Sequence, residues 1–145
     1  MKVLAQMPPA DPAADDELVM TLAATPWSVR RARGPGTRPA LELYEAGRLA
    51  DIIVATAVAP QVLRGARRSR RDEQVFGLAW GCLPADGQAV SVTFTTSRPR
   101  RATVRAEVVE VAGWAWFAIA TGRFAVAGAV HQGRHDRLRL QAVSL

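Results

Sequence analysis

Apolar and polar residues alternate most regularly between Val75 and Phe117. Period-two alternation marks extended strands with one face on a core. Phe76, Leu78 and Trp80 fall on one face and Val75, Gly77 and Ala79 on the other, which predicts a strand covered on both sides. Pro84-Ala85-Asp86-Gly87 then supplies a proline corner and an Asp-Gly pair for a positive-φ position, the chemistry of a turn. Val90, Val92 and Phe94 oppose Ser91, Thr93 and Thr95, as in a half-buried antiparallel strand. In the next strand Val104, Ala106 and Val108 are apolar, but Val109 and Val111 then take over that role. A one-residue shift of this kind predicts a β-bulge at Val108-Val109. After Gly113, the run Trp114-Ala115-Trp116-Phe117-Ala118-Ile119 is apolar on both faces. Phe124, Val126 and Val130 are expected together on one face of a further strand, and Leu138 and Leu140 oppose Arg137, Arg139 and Gln141 in the last.

Upstream, Trp27, Val29 and Arg31 alternate with Ser28, Arg30 and Ala32, the turn formers of residues 34–39 follow, and Leu41-Glu42-Leu43-Tyr44 resumes the alternation. This predicts a hairpin. Residues 46–63 carry two patterns at once. Leu49, Ile52, Ile53 and Thr56 have helical spacing, while the β-branched Ile52-Ile53-Val54 and the stop at Pro60 favour a buried strand. Arg64-Gly65-Ala66-Arg67-Arg68-Ser69-Arg70-Arg71 packs five arginines into eight residues with little apolar anchorage, so an exposed, mobile loop is expected at 64–73. Residues 1–16 hold Pro8, Pro9 and Pro12 among alanines and acids without periodicity and are expected to be a disordered arm. The organisation that follows is all-β: the arm at 1–16, then one antiparallel β-sandwich or partly open barrel over 17–145. It would hold about seven to nine strands, with room for one short helix within 46–63.

Composition agrees with a globular chain, since 49% of its 145 residues are hydrophobic and 22% charged. Charge adds something the pattern does not: the formal net charge is +6, and apart from Lys2 every basic residue is an arginine. Guanidinium forks suit carboxylates and phosphates, so the surface is biased toward anions. The acids Asp11, Asp15, Asp16 and Glu17 cluster at the other end of the chain, and no arginine precedes Arg30. Cys82 is the single cysteine and can form no intramolecular disulfide. No apolar run reaches the length of a spanning helix, and Lys2 is followed by only Val3-Leu4-Ala5 before Gln6, too short for a secretory core. A cytoplasmic protein without a transmembrane segment is the expectation.

The order of a Trp27 strand, a glycine-proline turn, a Leu41-Glu-Leu-Tyr strand, Gly77-Leu-Ala-Trp-Gly with a following proline, a valine ladder and an aromatic strand resembles small Ig-like β-sandwich domains of actinobacteria. The resemblance spans residues 27–143 as a pattern and carries no catalytic motif. It implies a bacterial β-sandwich and no activity. The chain departs from such domains in its single cysteine and its inserted arginine run.

Little catalytic chemistry is visible. There is no GxSxG elbow, Walker loop or GxGxxG sequence, so neither an activated serine nor a phosphate cradle is present, and no cofactor is expected. His131 and His135, with Asp136, read as a polar turn, because a metal would need three or four ligands. Cys82 lies at an apolar strand end. Trp27, Trp80, Trp114 and Trp116 have Val, Leu, Phe and Ile as strand neighbours and read as core, with Trp114 and Trp116 the candidates for an exposed or interfacial face. The arginines remain. Arg64, Arg67, Arg68, Arg70 and Arg71, joined by Arg98, Arg100 and Arg101 from a second basic turn, form the candidate anion-binding set. They suit a non-enzymatic interaction or assembly module for an acidic protein partner or for self-association. The alternative is a nucleic-acid-binding protein that contacts phosphates through the same residues, without base readout.

Overall fold

The computed structural model describes residues 18–22, 25–56, 60–97 and 100–142; the arm expected at 1–16 lies outside them. The described chain is all-β, with twelve strands and no α-helix, and it falls into two compact units divided between Val54 and Ala55. No helix among the described residues is long and apolar enough to cross a membrane.

The first unit is a meander of four antiparallel strands in chain order: β1 (Leu18–Thr21), β2 (Trp27–Arg33), β3 (Pro39–Glu45) and β4 (Arg48–Val54). The predicted hairpin is β2–β3, paired from Trp27 opposite Glu45 to Arg33 opposite Pro39. One face carries Trp27, Val29, Leu41, Leu43 and Ile53, all fully buried. Glu45 is buried on it too, where its Oε1 accepts a 2.9 Å hydrogen bond from Trp27 Nε1. Burying a carboxylate is costly without such a partner. Of residues 46–63, the described part contains the strand β4 and no helix. The strand lies at the sheet edge and buries only Ile53, while Leu49 and Ile52 are exposed. The helical spacing of those residues arises from a one-residue slip of β4 against β3 between Ala50's neighbours, since Leu43 faces Asp51 but Tyr44 faces Leu49.

The second unit is one eight-stranded curled sheet. In chain order its strands are β5 (Gly65–Arg71), β6 (Gln74–Cys82), β7 (Ser91–Thr96), β8 (Thr103–Val111), β9 (Ala115–Thr121), β10 (Phe124–His131), β11 (Arg134–Arg139) and β12 (Gln141–Ala142). Across the sheet the order is β11-β10-β7-β8-β9-β6-β5-β12. The two edge strands are consecutive in the chain, separated by Leu140 alone, so one segment supplies both edges of the curl. Inside lie Phe94 and Phe124, ring centroids 5.3 Å apart, with Val92, Ala127, Ala129, Trp116 and Leu140. Residues 60–63 close one end of the curl: Val62 and Leu63 join this core, Val62 O accepts a 2.8 Å hydrogen bond from Trp116 Nε1, and Gln61 O accepts one from Cys82 N.

Three local expectations are corrected. The arginine run is not a loop: residues 65–71 form β5, paired with β6 along its whole length and in parallel with β12 at Arg67 and Arg68. There is no bulge at Val108-Val109. The register of β8 is continuous, pairing with β7 over 103–106 and with β9 over 107–111, so Ala106 and Val108 lie on the inner face and Val109 and Val111 on the opposite one, across from Phe117 and Ala115. Val109 is accordingly exposed. The bulge lies instead in β10, where Phe124 faces Thr96 but Val126 faces Thr95, leaving Ala125 over. The slip passes the core face from Phe124 to Ala127 and Ala129, and Val126 and Val130 are only half-buried. By contrast β6 is covered on both faces, and the Pro84–Gly87 turn closes with Gly87 N donating to Pro84 O.

Candidate anion-binding site

The bulge at Ala125 and the break at Leu140 coincide. Ala125, displaced from the β7 ladder, turns its carbonyl to Leu140 N at 2.9 Å, just where the chain leaves β10's side and crosses to β5. The sheet is therefore loosely closed at this end, and a cavity of about 580 Å³ opens there.

Arginines reach it from three directions. Arg68 on β5 stands directly across from Gly77, and a Cβ on Gly77 would point at Phe94, Phe124 and Leu140. Arg68 thus leaves the strand on the inner face, runs past the core and ends in the mouth, half-buried. Arg137 and Arg139 belong to the outer face of β11, in register with Gly128 and Val126, and Val126 in turn faces Thr95. Arg101 comes from the β7–β8 turn. That turn is pinned by Thr96, whose Oγ1 donates to Arg100 O and accepts from Ala102 N, both at 2.8 Å. Arg68, Arg101, Arg137 and Arg139 line the cavity with Thr95, Thr96 and Ser97 on one side and Ala125, Val126 and Leu140 as its apolar wall. None of the described residues lining it is a carboxylate or an aromatic. Guanidinium groups gathered without an acid are an unneutralised field that an anion relieves.

Only Arg68 and Arg101 of the sequence-derived set line this mouth. Arg98 lies outside the described residues, and Arg67, Arg70, Arg71 and Arg100 are elsewhere on the surface. Arg64 is at the far end, donating to Gln61 Oε1 at 3.3 Å. Arg137 and Arg139 were missed as site residues, although their alternation with Leu138 and Leu140 placed them on an outer strand face. The thirteen arginines and six carboxylates of residues 55–145 give the second unit a net charge of +7, whereas residues 1–54 carry a net charge of −1.

A second cavity, about 880 Å³, lies at the opposite end of β10. It is walled by Pro60–Leu63, Pro84–Asp86 and the β10–β11 hairpin, and Asp86 and Asp136 line it alongside Arg134 and Arg137. Asp86 accepts a hydrogen bond from Gln132 Nε2 across the opening. His131 belongs to this end, with a buried Nδ1 that makes no hydrogen bond among the described residues. No group of three or more His, Cys, Asp or Glu among the described residues can hold a metal ion. Burial pushes the Cys82 thiol above its ordinary range, against the opposing pull of Arg64 and a backbone hydrogen bond at Gln61, so at neutral pH it is a protonated core group. Trp27, Trp80 and Trp116 are buried, in keeping with the core reading of the tryptophans, and of the two candidates for an exposed face Trp114 is half-buried and Trp116 fully buried. No protein-family model, curated protein or solved structure matches the chain.

Proposed function

We propose that the protein is a non-enzymatic interaction module that docks an acidic partner protein on the arginine mouth of its curled sheet. The observation that supports this reading is that Arg68, Arg101, Arg137 and Arg139 line one cavity with no acid among its described lining residues. Arg101, Arg137 and Arg139 are exposed and Arg68 is half-buried, so salt screens each of them singly. Arginines aimed into one concave site act together on one anionic group, in fork geometry that rewards correct placement. A nucleic acid is the weaker fit, because the described residues lining the cavity include no aromatic side chain on which a base can stack.

Retention on immobilised polyglutamate and on immobilised duplex DNA, across a salt gradient, tests it. The wild-type chain is expected to be held on polyglutamate, and the Arg68→Gln/Arg139→Gln variant to elute early with unchanged circular dichroism and melting temperature. Equal retention of the folded variant on polyglutamate overturns the proposal, as does stronger retention on DNA that survives the double substitution.

A further inference from the structure

The arginine mouth holds more positive charge than a carboxylate can use. A carboxylate brings one negative charge and two acceptor oxygens. A phosphoryl monoester brings about −1.5 to −2 at neutral pH and three acceptor oxygens. Four arginines, from β5, β11 and the β7–β8 turn, line the cavity, and a phosphoryl group offers them three acceptor oxygens where a carboxylate offers two. The wall formed by Ala125, Val126 and Leu140 accepts an aliphatic stem beside the charged head. The cavity, about 580 Å³, is also far larger than the anion alone, leaving room for the residues on either side of it. No aromatic stands among the described lining residues to stack on the base of a nucleotide.

We infer that the mouth recognises a phosphorylated side chain of the acidic partner: the phosphoryl dianion is held among Arg68, Arg101, Arg137 and Arg139, and its carbon stem lies against Val126 and Leu140. This rests on the reading of the protein as a docking module for an acidic partner.

The test is an NMR titration of the full chain at fixed ionic strength with four probes: N-acetyl-O-phosphothreonine methylamide, N-acetylglutamate methylamide, inorganic phosphate and oligothymidylate. The phosphothreonine compound is expected to shift the amides of Thr95, Ser97, Arg101 and Val126 saturably, at least about tenfold tighter than the glutamate compound. Its affinity should fall several-fold between about pH 7 and pH 5, because the second phosphoryl pKa is near 6, while the glutamate compound changes little over that range. The folded Arg68→Gln/Arg139→Gln variant should show none of these shifts. Equal affinity for the glutamate compound overturns the phosphoryl assignment and leaves the acidic-partner reading standing. Inorganic phosphate binding as tightly as the phosphothreonine compound overturns the assignment to a side chain. Response to oligothymidylate alone, or to no probe, overturns both this inference and the reading beneath it.

Discussion

The two ends of the curled sheet are built from the same strands yet differ in how charge is handled. At the end walled by residues 60–63, Asp86 and Asp136 stand beside Arg134 and Arg137, and Asp86 is further engaged by Gln132. At the other end Arg68, Arg101, Arg137 and Arg139 line one cavity with no acid among its described lining residues. Arg137 borders both cavities, so the contrast lies in the company an arginine keeps. A cavity of either size could take a ligand, but only uncompensated charge gives an anion a reason to enter. The ends also differ in closure. One is held by packing and hydrogen bonds to Val62 and Gln61, and at the other the Ala125 bulge meets the crossing at Leu140.

The sharpest way to break the contrast is to unseat the closed end. A Cβ on Gly81 would sit 1.8 Å from Val62 O, a backbone atom that cannot move without dragging residues 60–63 out of the core. Gly81→Ala is expected to cost about 3 kcal/mol, read as a lowered denaturation midpoint. A midpoint within experimental error of wild type would show that this segment is not what holds that end shut.

Next in size is a substitution that makes the open end resemble the closed one. Thr95 lines the arginine mouth on the outer face of β7, its Oγ1 3.2 Å from Thr103 Oγ1 in an exposed pair. Thr95→Asp places a carboxylate among the four guanidinium groups and should weaken anion binding by about 2 kcal/mol, roughly thirtyfold, with stability nearly unchanged. Undiminished binding of the phosphothreonine compound would mean that the anion sits elsewhere.

How far the sequence showed these ends depends on how local the cause is. Alternation in β6 and β7 is imposed by each strand's own burial, and it was readable from Phe76, Trp80, Val92 and Phe94. In β5 the five-arginine run hid a strand, because its conformation comes from seven backbone pairings to β6 rather than from an apolar face of its own. The short Asp72-Glu73 link between Arg71 and Gln74, paired residues in the structure, was the one local hint of a hairpin. The break in alternation at Val108-Val109 looked like a bulge but records apolar residues on both faces of an unbroken strand, while the true bulge at Ala125 was masked by the equally apolar Phe124 and Val126. The site was legible as arginine chemistry and not as a place. Arg68 meets Arg137 and Arg139 only because the last strand crosses back to β5, and no spacing along the chain records that crossing.

A smaller effect tests how the closed end is latched. Trp116→Phe keeps most of the buried ring and removes the 2.8 Å bond to Val62 O, leaving that carbonyl without its indole donor. The expected loss is about 1–2 kcal/mol, with anion binding at the opposite end unaffected. Denaturation and the phosphothreonine titration read the two quantities separately, and a fall in affinity alongside stability would show that the ends are coupled.

The smallest expected effect is the converse of the carboxylate insertion. Neutralising the closed end with Asp86→Asn/Asp136→Asn leaves Arg134 and Arg137 uncompensated there. The side-chain amide introduced by Asp86→Asn keeps an oxygen for the 2.9 Å bond that Asp86 Oδ1 now accepts from Gln88 N, so the turn should persist. In the Thr95→Asp background, where the arginine mouth is weakened, these two changes should raise residual phosphate affinity by only a few-fold, because two exposed arginines gain about 1 kcal/mol or less on an anion in water. The gain should appear at the amides of residues 84–86 and weaken with salt. If instead no shift appears at that end, charge compensation is not what separates the two cavities, and the geometry of the four converging arginines alone accounts for the difference.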